Sequence, residues 1–180
     1  MEQEKFIRHY GSLYENSPHI ALAIYDHQHL NTLSPLEILS LMKGYVTNMD
    51  RQSKMNLILE HPELGIKKGQ QNNLTAHSKK EQNRAGLDNL SGSEYNLLSR
   101  LNKDYMNKFK FPFIIAVSAL NKEEVFGNIQ LRLQNTVETE FDTALEEIHK
   151  IAENKAGKSA VRLFNFFTSN KYRVYRSIIS

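Results

Sequence analysis

Among the residues of this chain able to move protons are His61, in "LEHPELG", and Glu81, with Gln82 beside it, in "SKKEQ". An imidazole with an ordinary pKa of about 6.5 titrates where acid–base chemistry at neutral pH operates, and a carboxylate can orient it or share its charge. Each of these residues also has an ordinary explanation. His61 ends a helix ahead of Pro62, where a cation sits well against the helix dipole. Ser78-Lys79-Lys80-Glu81 fits the S-x-x-E capping-box pattern. Arg132, in "LRLQN", reads alone as a surface or ion-pair residue. The chain has 7 histidines and no cysteine, which excludes thiol chemistry and a disulfide framework and leaves only imidazole and carboxylate as metal ligands. His27-x-His29 lacks a nearby carboxylate pair. His77 and Glu81 share a helical spacing, but with His61 they match no recognised zinc pattern. No metal site is expected.

Helices must position these groups, because helix signals recur along the chain. Phe6, Tyr10, Leu13 and Tyr14 form one stripe at helical spacing. Ser17-Pro18 offers a cap and a proline at the first helical position. Ser34-Pro35-x-Glu37 repeats the device as a full capping box, and Asn121 with Glu124 does so again. A helix over about 50–60 stops before His61-Pro62, because a residue ahead of proline avoids the helical region. "GIKKGQQNNLT" reads as a loop, and helix resumes in "HSKKEQNRAGL" and "SEYNLLSRLNKDYMNKF". A long helix over about 136–154 carries Phe141, Leu145, Ile148 and Ile151, and "SAVRLFNFF" adds a further one. One run stands apart. In "KFKFPFIIAV", Lys108 to Val117, a proline lies amid apolar residues and the second half reads as extended. The fold class is all-α, a compact single-domain bundle of about seven or eight helices.

Length and composition bound the rest. At 180 residues, with 40% hydrophobic and 24% charged residues, the chain suits one soluble globular domain. No apolar run reaches the roughly 18 residues of a membrane span, and the N-terminal stretch has no signal-peptide core. A cytoplasmic location is expected. The net charge of +3 is uneven: six basic residues and no acid follow Glu153, leaving 17 basic against 20 acidic before it. The basic character therefore belongs to the C-terminal stretch, and neither a nucleic-acid nor a membrane partner is expected.

Read in order, "HPEL", "S-x-x-EQ-x-x-AGL", "LN-x-x-Y-x-x-KF-x-FPFIIAV" and "RLQN" resemble the 2-oxo-4-hydroxy-4-carboxy-5-ureidoimidazoline (OHCU) decarboxylase family of purine catabolism, from about Phe6 to Ala152. The resemblance implies an all-helical homodimer that converts its substrate to (S)-allantoin without a cofactor. It implies catalytic roles for His61 and Glu81. It implies substrate contacts at Pro62, at Ser78, Lys79, Lys80, Glu81 and Gln82, and at Phe113, Ile114, Ile115, Ala116 and Val117. Arg132 and Lys155 match further arginines of the pattern and are expected to help hold the substrate. The proline-locked run then becomes a wall of the site: Pro112 keeps Phe111 out of the helical region, leaving backbone groups beyond it for a ligand.

Three positions depart from the family pattern. His19 stands where tryptophan is usual after Ser-Pro, Lys110 where glycine is usual before Phe-Pro-Phe, and Lys155 where arginine is usual. Lysine keeps the charge but lacks arginine's planar fork. The expected organisation is an OHCU-decarboxylase-like helical domain over 1–157 and a basic, aromatic extension over 158–180. The alternative is a catalytically altered or inactive member of the same fold, acting as a binding or interaction module through that extension.

Overall fold

Caps and prolines set where the helices begin. The computed structural model describes residues 2–25, 33–65, 80 and 82–176, with side chains through Gly157. Its helices are α1 (Gln3–Tyr10), α2 (Pro18–Ala23), α3 (Pro35–Thr47), α4 (Arg51–Leu59), α5 (Gly92–Phe109), α6 (Lys122–Arg132) and α7 (Val137–Arg176), and there is no strand among the described residues. Complete capping boxes open α3 (Ser34 with Glu37), α5 (Ser91 with Glu94) and α6 (Asn121 with Glu124). Asp50 caps α4 by accepting the Ser53 N–H at 2.9 Å. These bonds satisfy N–H groups that the first helical turn leaves without partners.

Several expectations need correction. Pro18 does occupy the start of α2, but the Ser17 side chain makes no cap bond: its backbone (φ −125°, ψ 56°) leaves the usual cap geometry and its hydroxyl is buried with no partner among the described residues. Residues 80 and 82–84 are helical and a turn with Gly86 at φ +77° follows; residues 66–79 and 81 lie outside the described residues. No break occurs near Asn154. The last two expected helices are one, since the chain holds no proline after Pro112 to impose a stop.

The core gathers around α7, which packs against α3, α4 and α5. Its buried stripe is Phe141, Ala144, Ile148 and Ala152, with Leu145 and Ile151 only partly covered. The expected stripe is thus rotated towards the alanines, whose small side chains let neighbouring helices approach. The N-terminal stripe is fully used: Phe6, Tyr10, Leu13 and Tyr14 are all buried. Tyr14 hydrogen-bonds His149 Nδ1 on α7 at 2.8 Å, their rings edge-on. Burial, and then the nearby Lys43 charge, push the His149 pKa down to about 4.

Helix α5 stops at Lys110, which adopts the left-handed conformation (φ +67°, ψ +20°). A side chain with a Cβ is strained there by roughly 1 kcal/mol, and only glycine escapes the clash. Lys110→Gly should therefore raise Tm by about 2–4 °C, less whatever glycine adds to unfolded-chain entropy. A melting temperature at or below wild type would contradict this account. A second expectation concerns acid. The unfolded chain binds a proton at a histidine with pKa near 6.5, whereas folded His149 binds it only near 4. Stability should thus fall as pH drops from about 6.5 towards 4 and stay level above that window. Urea midpoints across this range should show a shallower slope in His149→Gln; an unchanged slope would count against the assignment.

Candidate active site

His61 owes its position to the proline after it. Helix α4 ends at Leu59 and the chain closes with a tighter turn, His61 N–H to Ile58 C=O at 3.2 Å, before Pro62 forces it away. The imidazole folds back so that Nδ1 lies 2.9 Å from the Leu57 carbonyl. A carbonyl can only accept, so Nδ1 carries the proton and Nε2 of the neutral ring is a bare acceptor. Nε2 is buried and has no hydrogen-bond partner among the described residues. Burial lowers the His61 pKa, an effect that the Leu57 carbonyl and the Glu15 carboxylate oppose and Lys155 adds to. The ring is neutral at pH 7 and its free nitrogen can take a proton.

That ring lines a cleft together with Glu15, Pro62, Leu64, Gln82, Phe113, Ile114, Ile115, Val117 and Ile151. Polar side chains fasten the pieces. Gln82 Oε1 accepts the Gly65 N–H at 3.1 Å, tying its helical turn to the loop after His61. Asn102 on α5 donates to the Leu64 carbonyl at 3.0 Å and to Glu63 at 2.8 Å. Asn16, itself left-handed at φ +50°, donates to the Glu60 carbonyl at 3.0 Å, pinning the loop that bears Glu15 beside His61.

The far wall is the proline-locked run. Residues 112–116 form neither helix nor strand, and Ala116 is extended (φ −76°, ψ 94°). Phe113 is buried, edge-on to Tyr105 and under the Arg132 guanidinium at 4.6 Å. Arg132 Nη1 donates to the Ile114 carbonyl at 2.8 Å, and Glu147 accepts the Ala116 N–H at 2.8 Å. The N–H groups of Ile115 and of Val117, which opens a short 3-10 turn (Val117–Ala119), have no partner among the described residues, and both residues line the cleft.

The two expected cations occupy defined places. Arg132 is buried, and its Nε donates to Glu140 at 2.8 Å; Nη2 lies 2.5 Å from the same oxygen, a close charge contact at a poor angle for a hydrogen bond. Glu140 also accepts from Tyr105 and, at 2.7 Å, from Asn135. Breaking such a buried pair costs roughly 3–5 kcal/mol, because it strands the remaining charge. Lys155 is buried against Glu15 and also reaches the Ser12 carbonyl at 3.3 Å. Neither cation lines the cleft, although Glu15 does. Lys80 is exposed, while Ser78, Lys79 and Glu81, like His27, His29 and His77, lie outside the described residues. Among the described residues, no cluster of acidic residues and histidines could hold a metal, and no helix is long and apolar enough to cross a membrane. Sequence reasoning missed Glu15, Glu140 and Glu147. The signal available for Glu15 was an acid next to the apolar stripe, immediately after Tyr14.

A family model described as OHCU decarboxylase matches residues 1–156. The 2-oxo-4-hydroxy-4-carboxy-5-ureidoimidazoline decarboxylase of Haloferax volcanii is 34% identical over 153 residues, covering 85% of this chain and 88% of that protein. The uric acid degradation bifunctional protein of Bacillus sp. strain TB-90 is 38% identical over 152 residues, covering 84% of this chain but 29% of the bifunctional protein. Among solved structures, (S)-allantoin synthase superposes with a TM-score of 0.70 at 26% identity over 88% of this chain, which spans about half (51%) of the synthase. A match that takes in the cleft, its far wall and most of α1 to α6, backed by a relative covered over nearly its whole length, shows that the chain belongs to the OHCU decarboxylase family.

Proposed function

We propose that this chain decarboxylates 2-oxo-4-hydroxy-4-carboxy-5-ureidoimidazoline to (S)-allantoin in urate breakdown, without a cofactor. The observation that carries the reading is the bare, buried Nε2 of His61 in the same cleft as Phe113, Ile114, Ile115 and Val117 of the proline-locked run. The substrate's chemistry explains what such a cleft must do. The carbon that bears the carboxylate also bears a hydroxyl and adjoins a ring C=N. When the bond to CO2 breaks, its electron pair forms a carbon–carbon double bond and the C=N pair moves onto nitrogen, which takes a proton. The resulting enol then gives up its hydroxyl proton while the neighbouring carbon gains one. The ring is its own electron sink, unlike substrates that borrow one from a cofactor.

The protein's part is to hold the ring and move protons. Neutral His61 accepts the hydroxyl proton at Nε2, with Nδ1–H fixed on Leu57. Glu81 is the second acid–base group in this reading. The N–H groups of Ile115 and Val117 meet the carbonyl groups of the ring and ureido arm, and the Phe113 side excludes water. Pro62, Ser78, Lys79, Lys80 and Gln82 complete the contacts. Arg132 and Lys155 act through what they hold, the wall and Glu15. The reading also includes a homodimer, which the family resemblance supports, and a cytoplasmic location.

His61→Ala and Glu81→Ala should each lower kcat/KM by roughly 10²–10⁴-fold and remove the excess of (S)-allantoin over the racemic background, with the helical spectrum intact. In wild type, the acid limb of kcat/KM should lie below pH 6.5, because burial lowers the His61 pKa. Full activity in both variants, or an acid limb above that value, would overturn the assignment. Light scattering should give twice the chain mass of 20.8 kDa; a monomer would remove the dimer from the proposal.

A further inference from the structure

The edge that meets the substrate in the proposed reaction has no sheet to hold it. In a strand, neighbouring strands fix which backbone groups face which way. Here the described residues provide two side-chain bonds for that task, from Arg132 to the Ile114 carbonyl and from the Ala116 N–H to Glu147. Arg132 is itself locked by Glu140 and by the face of Phe113. Glu147 is the fastening nearer to Val117. It is 9% exposed on α7, outside the cleft lining, and its other carboxylate oxygen is held by Lys150 at 2.6 Å.

We propose that Glu147 is a positioning residue for the reaction: by gripping the Ala116 N–H, it sets the peptide groups on either side of Ala116, between Ile115 and Val117, which line the cleft. This rests on the functional reading above. Without the grip, those peptides can rotate about φ and ψ, and the backbone that meets the substrate loses its fixed direction. A short carboxylate cannot substitute, because the reach from α7 to the run is fixed by packing. An amide of the same length can, because its carbonyl oxygen still accepts.

The test separates reach from charge. Glu147→Gln keeps the reach and loses the charge; Glu147→Asp keeps the charge and loses the reach. We expect the Asp variant to raise KM about tenfold, the equivalent of one lost hydrogen bond of about 1.4 kcal/mol, with kcat changed by less than about threefold. The Gln variant should stay within about twofold of wild type in both. Hydrogen exchange in a peptide spanning 111–118 should quicken in Asp and not in Gln, a readout that needs no turnover. An Asp variant with wild-type KM, or a Gln variant as impaired as Asp, would overturn the proposal while leaving the decarboxylase reading intact. A wild-type protein that yields no (S)-allantoin excess would bring down that reading, and this proposal with it.

Discussion

Buried backbone polar groups need partners, and helices supply their own. A run of five non-helical residues inside a helical protein does not, so residues 112–116 must be served from outside. Pro112 creates the need by ending any helical continuation after Phe111. Two charged side chains meet it, Arg132 from α6 and Glu147 from α7. They serve Ile114 and Ala116, while the N–H groups of Ile115 and Val117 have no partner among the described residues and both residues line the cleft. The same arrangement that keeps the run stable leaves part of its backbone unpaired beside that cleft.

A second constraint fixes the facing wall. Pro62 ends α4 and leaves His61 in a tight turn with its ring bound back to Leu57. The resulting tautomer and the burial act together: one nitrogen is tied, the other is bare, and the ring stays neutral. Glu15 and Lys155 then form a buried charged pair close enough to bear on that ring in opposite directions. Buried ion pairs contribute little net stability, so the geometry they impose is the more important consequence here.

Local signals were the legible part of the sequence. The capping boxes at Ser34 and Asn121, the apolar stripe from Phe6 to Tyr14, and the stops at Pro62 and Pro112 each depend on residues within a few positions of one another. The Ser17 cap failed because its hydroxyl was drawn into the interior, a tertiary effect that no local pattern carries. Long-range electrostatic partners were illegible for the same reason. Glu15 and Lys155 are 140 residues apart, and nothing near either announces the other. No local pattern marks Glu140 or Glu147 out from the other acids of their helix. The packing of α7 brings Glu140 to Arg132 and Tyr105, and Glu147 to the Ala116 N–H. The grouping of His61 with Phe113 to Val117 came from resemblance to a family, since spacing alone could not join residues so distant in the chain.

The order of these parts along the polypeptide matters for how the protein is made. The histidine turn and the wall are synthesised early, while Arg132, Glu140, Glu147 and Lys155 all come afterwards. A ribosome that has delivered residues 1–120 has therefore released a histidine turn with its own bond to Leu57, but a run that still lacks both of its side-chain fastenings. The wall of the cleft, in this protein, is aligned retroactively by the two helices that follow it.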